Sequence, residues 1–367
     1  MNDAETLVNH ALGLRAGDWA EVRSAEEILA TLDERGCLDA LPFMPEMLEY
    51  CGRRFRVSGV AHKTCDTATF SGGRRMRDAV FLDNLRCDGA IHGGCQARCL
   101  FFWKTAWLIP VESSTMPARA IGPARRNETK CSLEQLHAAA QKVTETGEVR
   151  YFCQATEHLA ATKPLRPLAM WHFVEDVRTR NTRPPHVLKV LGLHLVWRLR
   201  NLRRGWRASV WLYARIHRLL TGRPDPFREG LIPKGAPTPE ERLDLRPGEL
   251  VEVKSHDEIL QTVNVELRNR GLAYNTEMTP VCGGKFRVAQ RITRLIEEKS
   301  GRMITMKNPC ITLEGVYCQA LYTHYSLLCT RRVTPYFREA WLRRAAPSTP
   351  DSSAHDGAWH RQRANRR

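Results

Sequence analysis

The segment Gly17 to Val57 recurs as Gly248 to Val288, without a gap, at a constant offset of 231 residues. Sixteen of the 41 aligned positions are identical, among them Val22/Val253, Ser24/Ser255, Glu27/Glu258, Thr31/Thr262, Glu46/Glu277, Cys51/Cys282 and Phe55/Phe286. Chance alone gives about two or three, so the chain is read first as a duplicated unit. The likeness continues past small gaps. Gly73-Arg-Arg-Met76 resembles Ser300-Gly-Arg-Met303. Cys87 and Cys95 share their seven-residue spacer with Cys310 and Cys318, and Gln-Ala follows the second cysteine of each pair. Each copy ends alike, in Thr105-Ala-Trp-Leu108 and Glu339-Ala-Trp-Leu342.

Local signals inside the unit are consistent. The stretches 20–23 (AEVR) and 251–254 (VEVK) follow a Gly turn and read as short strands. Ser24 and Ser255 stand at N-cap positions with Glu27 and Glu258 three residues on, a capping box that predicts a helix over 25–32 and its counterpart. Residues 53–57, 79–82, 285–288 and 303–306 read as further strands. The expected fold class is α+β. Two homologous small β-rich, cysteine-containing domains, SH3-like barrels by analogy, are separated by an α-helical segment. The expected boundaries are 15–110 for the first repeat, 130–222 for the basic helical segment, 223–246 for a Pro-rich linker, 247–344 for the second repeat and 345–367 for a disordered tail.

The chain has 12 cysteines. Met1 to Trp19 has no continuous apolar core, and no uninterrupted apolar stretch of about 18 residues occurs, so the expected location is cytoplasmic. Thiols there stay reduced, and clustered cysteines read as metal ligands or reactive groups before disulfides. Each repeat offers four: Cys51, Cys87, Cys95 and Cys99 in the first, Cys282, Cys310, Cys318 and Cys329 in the second. Four thiolates satisfy one tetrahedral zinc ion or one iron–sulfur cluster. Two zinc sites are the leading cofactor expectation and an iron–sulfur cluster the alternative; plain packing of small apolar side chains competes with both. The fourth cysteine is shifted between copies, and His62, Cys65 and His92 occur only in the first. Two similar scaffolds are therefore expected, but not two equal sites. Cys153-Gln-Ala, outside both copies, echoes the Cys-Gln-Ala of each.

The middle segment is of a different character. From Val177 to Pro224 there is no acid against 12 Lys or Arg, in a chain of net charge +16. Leu188, Leu191, Leu195, Leu199, Leu202, Trp206, Val210, Tyr213 and Leu220 recur at helical spacing, with Gly205 as a break between two helices. Arg200, Arg204, Arg207, Arg215 and Arg218 fall on another face. Such a helix either buries its stripe or lies against an anionic surface. The expected partner is an unidentified protein or an anionic membrane surface, met peripherally, ahead of nucleic acid. Helices are also expected at 132–143, 151–161 and 168–177.

No phosphate loop, dinucleotide fingerprint, HExxH or GxSxG motif occurs, so no catalytic residue is assigned and enzyme activity stays open. The phrases EMLEYCGRRFRV, RCDGAIHGGCQARCLFFWKTAWL, VRYFCQATEHL and GRMITMKNPCITLEGVYCQA resemble those of a family of uncharacterised bacterial proteins with two tandem cysteine-rich repeats around a basic helical segment. The resemblance implies a bacterial cytosolic setting and no activity. The expectation is a metal-stabilised binding or scaffold protein, the alternative an iron–sulfur or thiol redox protein with the first repeat as its active centre.

Overall fold

A computed structural model describes residues 13–111, 131–165, 170–202, 207–323 and 326–345. The expected tail lies outside these, apart from Ala345. The fold mixes helices with curled, half-barrel sheets, as an α+β chain should. The first sheet has five antiparallel strands in the order Leu100–Lys104, Ala79–Arg86, Arg54–Val60, Trp19–Val22, Leu108–Val111. The second has four, in the order Met303–Leu313, Lys285–Ile296, Leu250–Val253, Leu342–Arg344.

The offset of 231 that relates the sequences also relates the elements. Helix Ala25–Leu29 answers to His256–Leu260, and the 3-10 helix Pro45–Tyr50 to Thr276–Val281. Both capping boxes form, on Ser24/Glu27 and Ser255/Glu258. Register is kept too: Trp19 faces Arg56 and Leu250 faces Arg287. Each core holds a tryptophan at the equivalent position. Trp107 donates its indole N–H to Thr31 Oγ1 and Trp341 to Thr262 Oγ1, both at 3.1 Å, and both rings are fully buried. A tryptophan buries a large apolar area and still needs one polar partner, so the two threonines fix where each ring sits.

The helix read at 132–143 stops at Ala139, and Gln141–Val143 is a strand paired with Val149–Tyr151. Two further expectations differ. Residues 151–161 are not a helix: the strand Val149–Tyr151 runs into successive turns. The reason lies at Gln154, whose amide is diverted to a sheet. It accepts from Phe102 N at 2.8 Å and donates to Phe102 O and Pro42 O at 2.9 and 3.0 Å, sealing the open edge of strand Leu100–Lys104. The segment 223–246 is docked onto the second repeat: Leu231 N bonds Leu260 O, Leu243 and Leu245 donate to the Glu339 carboxylate, and Leu245 is buried.

The basic segment does form two helices, Pro184–Leu202 and Arg207–Thr221. They bury the stripe read in the sequence only in part. Val187, Val190, Leu193, Tyr213 and His217 are buried and Leu191 is partly buried, whereas Leu188, Leu195, Val210 and Leu220 are exposed. Val187, Val190 and Leu191 pack with Phe173, Leu327 and Leu328, and Tyr213 and His217 lie against Phe227 and Tyr322, so the surrounding segments and not the helix alone choose the buried side. The side chains of Leu199, Leu202, Trp206, Arg204 and Arg207 lie outside the described residues.

Candidate functional site: a thiol-lined cavity between the repeats

The two repeats are joined by specific polar contacts. Gln96, from the first Cys-Gln-Ala, accepts from Thr293 N at 2.7 Å and Arg294 N at 3.1 Å on the second sheet. Gln290 returns a bond to Gln96 O at 2.7 Å. Arg331 of the second repeat donates to Cys65 O at 2.9 Å and Thr67 Oγ1 at 2.6 Å of the first, and pairs with Glu298 at 3.3 Å. Thr330 Oγ1 donates to Val60 O, and the Arg86 guanidinium lies 4.1 Å from the centre of the Tyr317 ring.

Between them is a cavity of about 530 Å³, lined by Cys65, Cys87, Cys95, Cys99, Cys153, Cys318 and Cys329. Each lining thiol has a local reason to be there. Strand Thr64–Cys65 is held from below: Lys63 pairs with Asp176 in the interior, and Thr64 Oγ1 meets His158 Nε2 at 3.2 Å. The loop from Cys87 to Cys95 folds back on itself, with Gly94 N and His92 N both bonding Gly89 O. Gly89 has φ +77°, and a Cβ there would meet the Cys95 carbonyl oxygen at 1.9 Å, so only glycine permits this turn. All three Cys-Gln-Ala cysteines, Cys95, Cys153 and Cys318, reach the cavity. The glutamine of the second seals the edge strand Leu100–Lys104, and that of the first bonds strand Lys285–Ile296 of the other sheet.

The expected ligand sets are therefore redistributed. Cys87, Cys95, Cys99, Cys318 and Cys329 come together across the repeats, joined by Cys65 and Cys153, which the four-cysteine sets omitted. Cys51, Cys282 and Cys310 stay apart from the cavity. Cys51 and Cys282 end equivalent 3-10 helices and pack on the two cores; Cys282 Sγ lies 3.3 Å from Tyr274 Oη. Cys310 is buried beside Arg338, whose guanidinium donates to its sulfur at 3.4 Å. Equal sequence positions in the two copies thus do not face equal surroundings. The Cys-Gln-Ala echo at 153 was the signal for the seventh thiol.

Electrostatics divides the thiols. Burial pushes Cys99 up to about 12 and Cys153 up to about 11, and raises Cys87 and Cys318 further. Such thiols stay protonated until a cation arrives to hold the thiolate. Cys65 is the exception. A hydrogen bond from Cys329, reinforced by the Arg331 charge, holds it below the usual thiol value, while Cys329 is pushed up.

Among the described residues, one group of three or more metal-ligating side chains has its donor atoms all within 4.8 Å: Glu46, Cys87 and His92. Of the expected anion-binding arginines, Arg200 is held by Asp225 at 3.5 Å and lies over the Tyr213 ring, so it offers no free charge. Arg215 and Arg218 are exposed on the same helix as Trp211 and Leu219. No family model matches the chain, and no curated protein or solved structure matches it.

Proposed function

We propose that the chain binds an iron–sulfur cluster in the cavity between its repeats and acts as a redox protein. In this reading each repeat is a small barrel-like domain, homologous to the other, and the pair forms one chamber in place of two separate four-cysteine sites. The observation that carries it is the convergence of seven thiols, drawn from both repeats and the intervening segment, on one cavity. Ligand spacing supports a cluster over zinc. A zinc ion with Zn–S of about 2.3 Å needs its thiolate sulfurs within about 4.6 Å of one another. No three thiols among the described residues meet even a 4.8 Å limit. A cluster spreads its ligands over several irons and so accepts a wider ring of sulfurs. Cys65, Cys95, Cys99, Cys153, Cys318 and Cys329 are the proposed ligand set, which exceeds the four that one cubane uses. Arg331, buried among them, offsets the negative charge of a thiolate-bound cluster.

The test is anaerobic purification followed by a visible spectrum and iron, sulfide and zinc counts. A brown protein whose absorption near 400 nm bleaches with dithionite, with matching iron and sulfide, is expected. A colourless protein carrying two zinc ions per chain and taking up no iron and sulfide contradicts the reading.

A second reading concerns location. Leu188, Leu195, Trp211 and Leu219 are exposed, the last two at 61% and 85%, beside exposed Arg215 and Arg218. An apolar strip edged by arginines suits peripheral contact with an anionic membrane, and no helix among the described residues is long and apolar enough to cross one. Co-sedimentation with phosphatidylserine-containing vesicles is expected to fall at least fivefold in Trp211→Ser/Leu219→Ser. Equal binding by that variant removes this reading.

A further inference from the structure

The first repeat carries a polar cluster that the second lacks. Glu46 is the second residue of its 3-10 helix, Pro45–Tyr50. Its counterpart Glu277 is fully satisfied: the carboxylate accepts from Leu321 N, Tyr322 N and Thr323 N at 2.9, 2.6 and 2.8 Å. Glu46 has no such amides. Its Oε1 lies 2.8 Å from His92 Nδ1 and accepts from Cys87 Sγ at 3.5 Å. Glu46 Oε2 and His92 Nε2 are both buried with no hydrogen-bond partner among the described residues. The side chains are 8% and 1% exposed. Unpaired buried polar atoms are costly, and a native site tolerates them when something else pairs them.

We propose that Glu46, Cys87 and His92 form a mononuclear site for a divalent ion of the zinc class, separate from the six-thiol cluster set. The donors are one carboxylate, one thiolate and one imidazole, a mixture zinc accepts, and three protein ligands leave a fourth position open. Cys87 and His92 line the cavity, so that position faces the chamber and a small ligand or water held there. Binding replaces the Cys87 S–H bond with a sulfur–metal bond and releases one proton to solvent. The pocket is shaped for it: Gly93, at φ +60°, lies where a Cβ would meet the Tyr151 hydroxyl at 2.1 Å, so Tyr151 closes over His92 only because residue 93 is glycine. In the second repeat the equivalents are Glu277, Cys310 and Gly315. The histidine is missing, the carboxylate is consumed by amides and the thiol is turned to Arg338.

The test uses the full chain, stripped of metal under anaerobic conditions and then equilibrated with zinc. Glu46→Gln and His92→Gln are each expected to bind one zinc fewer per chain than the wild type. Glu277→Gln is expected to keep the wild-type count. Reconstitution with iron and sulfide is expected to be unchanged in all three, so that loss of the cluster reading and loss of this site are told apart. X-ray absorption of the wild type at one zinc per chain needs no variant to fold: a shell of one sulfur with nitrogen and oxygen supports the site. An all-sulfur shell, or equal zinc counts in Glu46→Gln, His92→Gln and the wild type, overturns it.

Discussion

Four consecutive residues show how function is built into a short stretch. His62 lies 3.2 Å from Asp176, Lys63 pairs with the same carboxylate, Thr64 meets His158, and Cys65 alone turns to the cavity. A buried charge pair is a costly way to hold a strand, and replacing both partners by apolar groups can be neutral, so its presence points to placement of the neighbouring thiol. Cys65 is also held below the usual thiol value, where Cys87, Cys99, Cys153 and Cys318 are raised above it. The sign follows from the partner: a donor bonded to sulfur favours thiolate, so removing it raises the value. In metal-free reduced protein, Cys65 is expected to alkylate with a midpoint at lower pH than Cys87, Cys99, Cys153 or Cys318, and Cys329→Ala is expected to move that midpoint up. An unmoved midpoint shows that Cys329 does not set it. Cys65 was legible in the sequence as a cysteine that only the first copy carries. Cys329 as its partner was not, because 264 positions separate them and only packing of the two repeats brings them together.

At the scale of elements, the strongest signals were those whose cause is local. Capping boxes and strands after a Gly turn are set by residues within a few positions, and each stands where the alignment put it. The helix read at 151–161 failed because Gln154 is bonded to a strand about fifty positions earlier, and the apolar stripe at 188–220 holds among its described side chains only at Leu191 and Tyr213, because a tertiary surface chose the buried side. The paired tryptophans give this scale its prediction. Trp341→Ala is expected to cost about 3–5 kcal/mol in urea unfolding, as is Trp107→Ala, since each removes a fully buried ring. A loss below about 1 kcal/mol in either would falsify the view that each core depends on the tryptophan at this position.

The whole molecule is one chamber made from two similar walls. A duplication suggests one site per copy, and the eight cysteines read as two four-ligand sets on similar but unequal scaffolds. The structure instead assembles thiols across the seam, with Gln96, Arg331 and Thr330 as the cross-links and Cys153 contributed by the segment between. What remained hidden in the sequence was this seam, since nothing in either repeat states which face meets the other. The divergence that was visible, His62, Cys65 and His92 in one copy only, is concentrated on or beside that seam. The most direct measurement is the iron and sulfide content of the reconstituted chain in two triple variants. Cys65→Ser/Cys318→Ser/Cys329→Ser removes cavity thiols, and Cys51→Ser/Cys282→Ser/Cys310→Ser removes thiols outside it. The account predicts that the first loses most of its iron, sulfide and colour while the second keeps wild-type levels. Loss confined to the second variant, or equal iron in both, contradicts a cluster shared across the repeats.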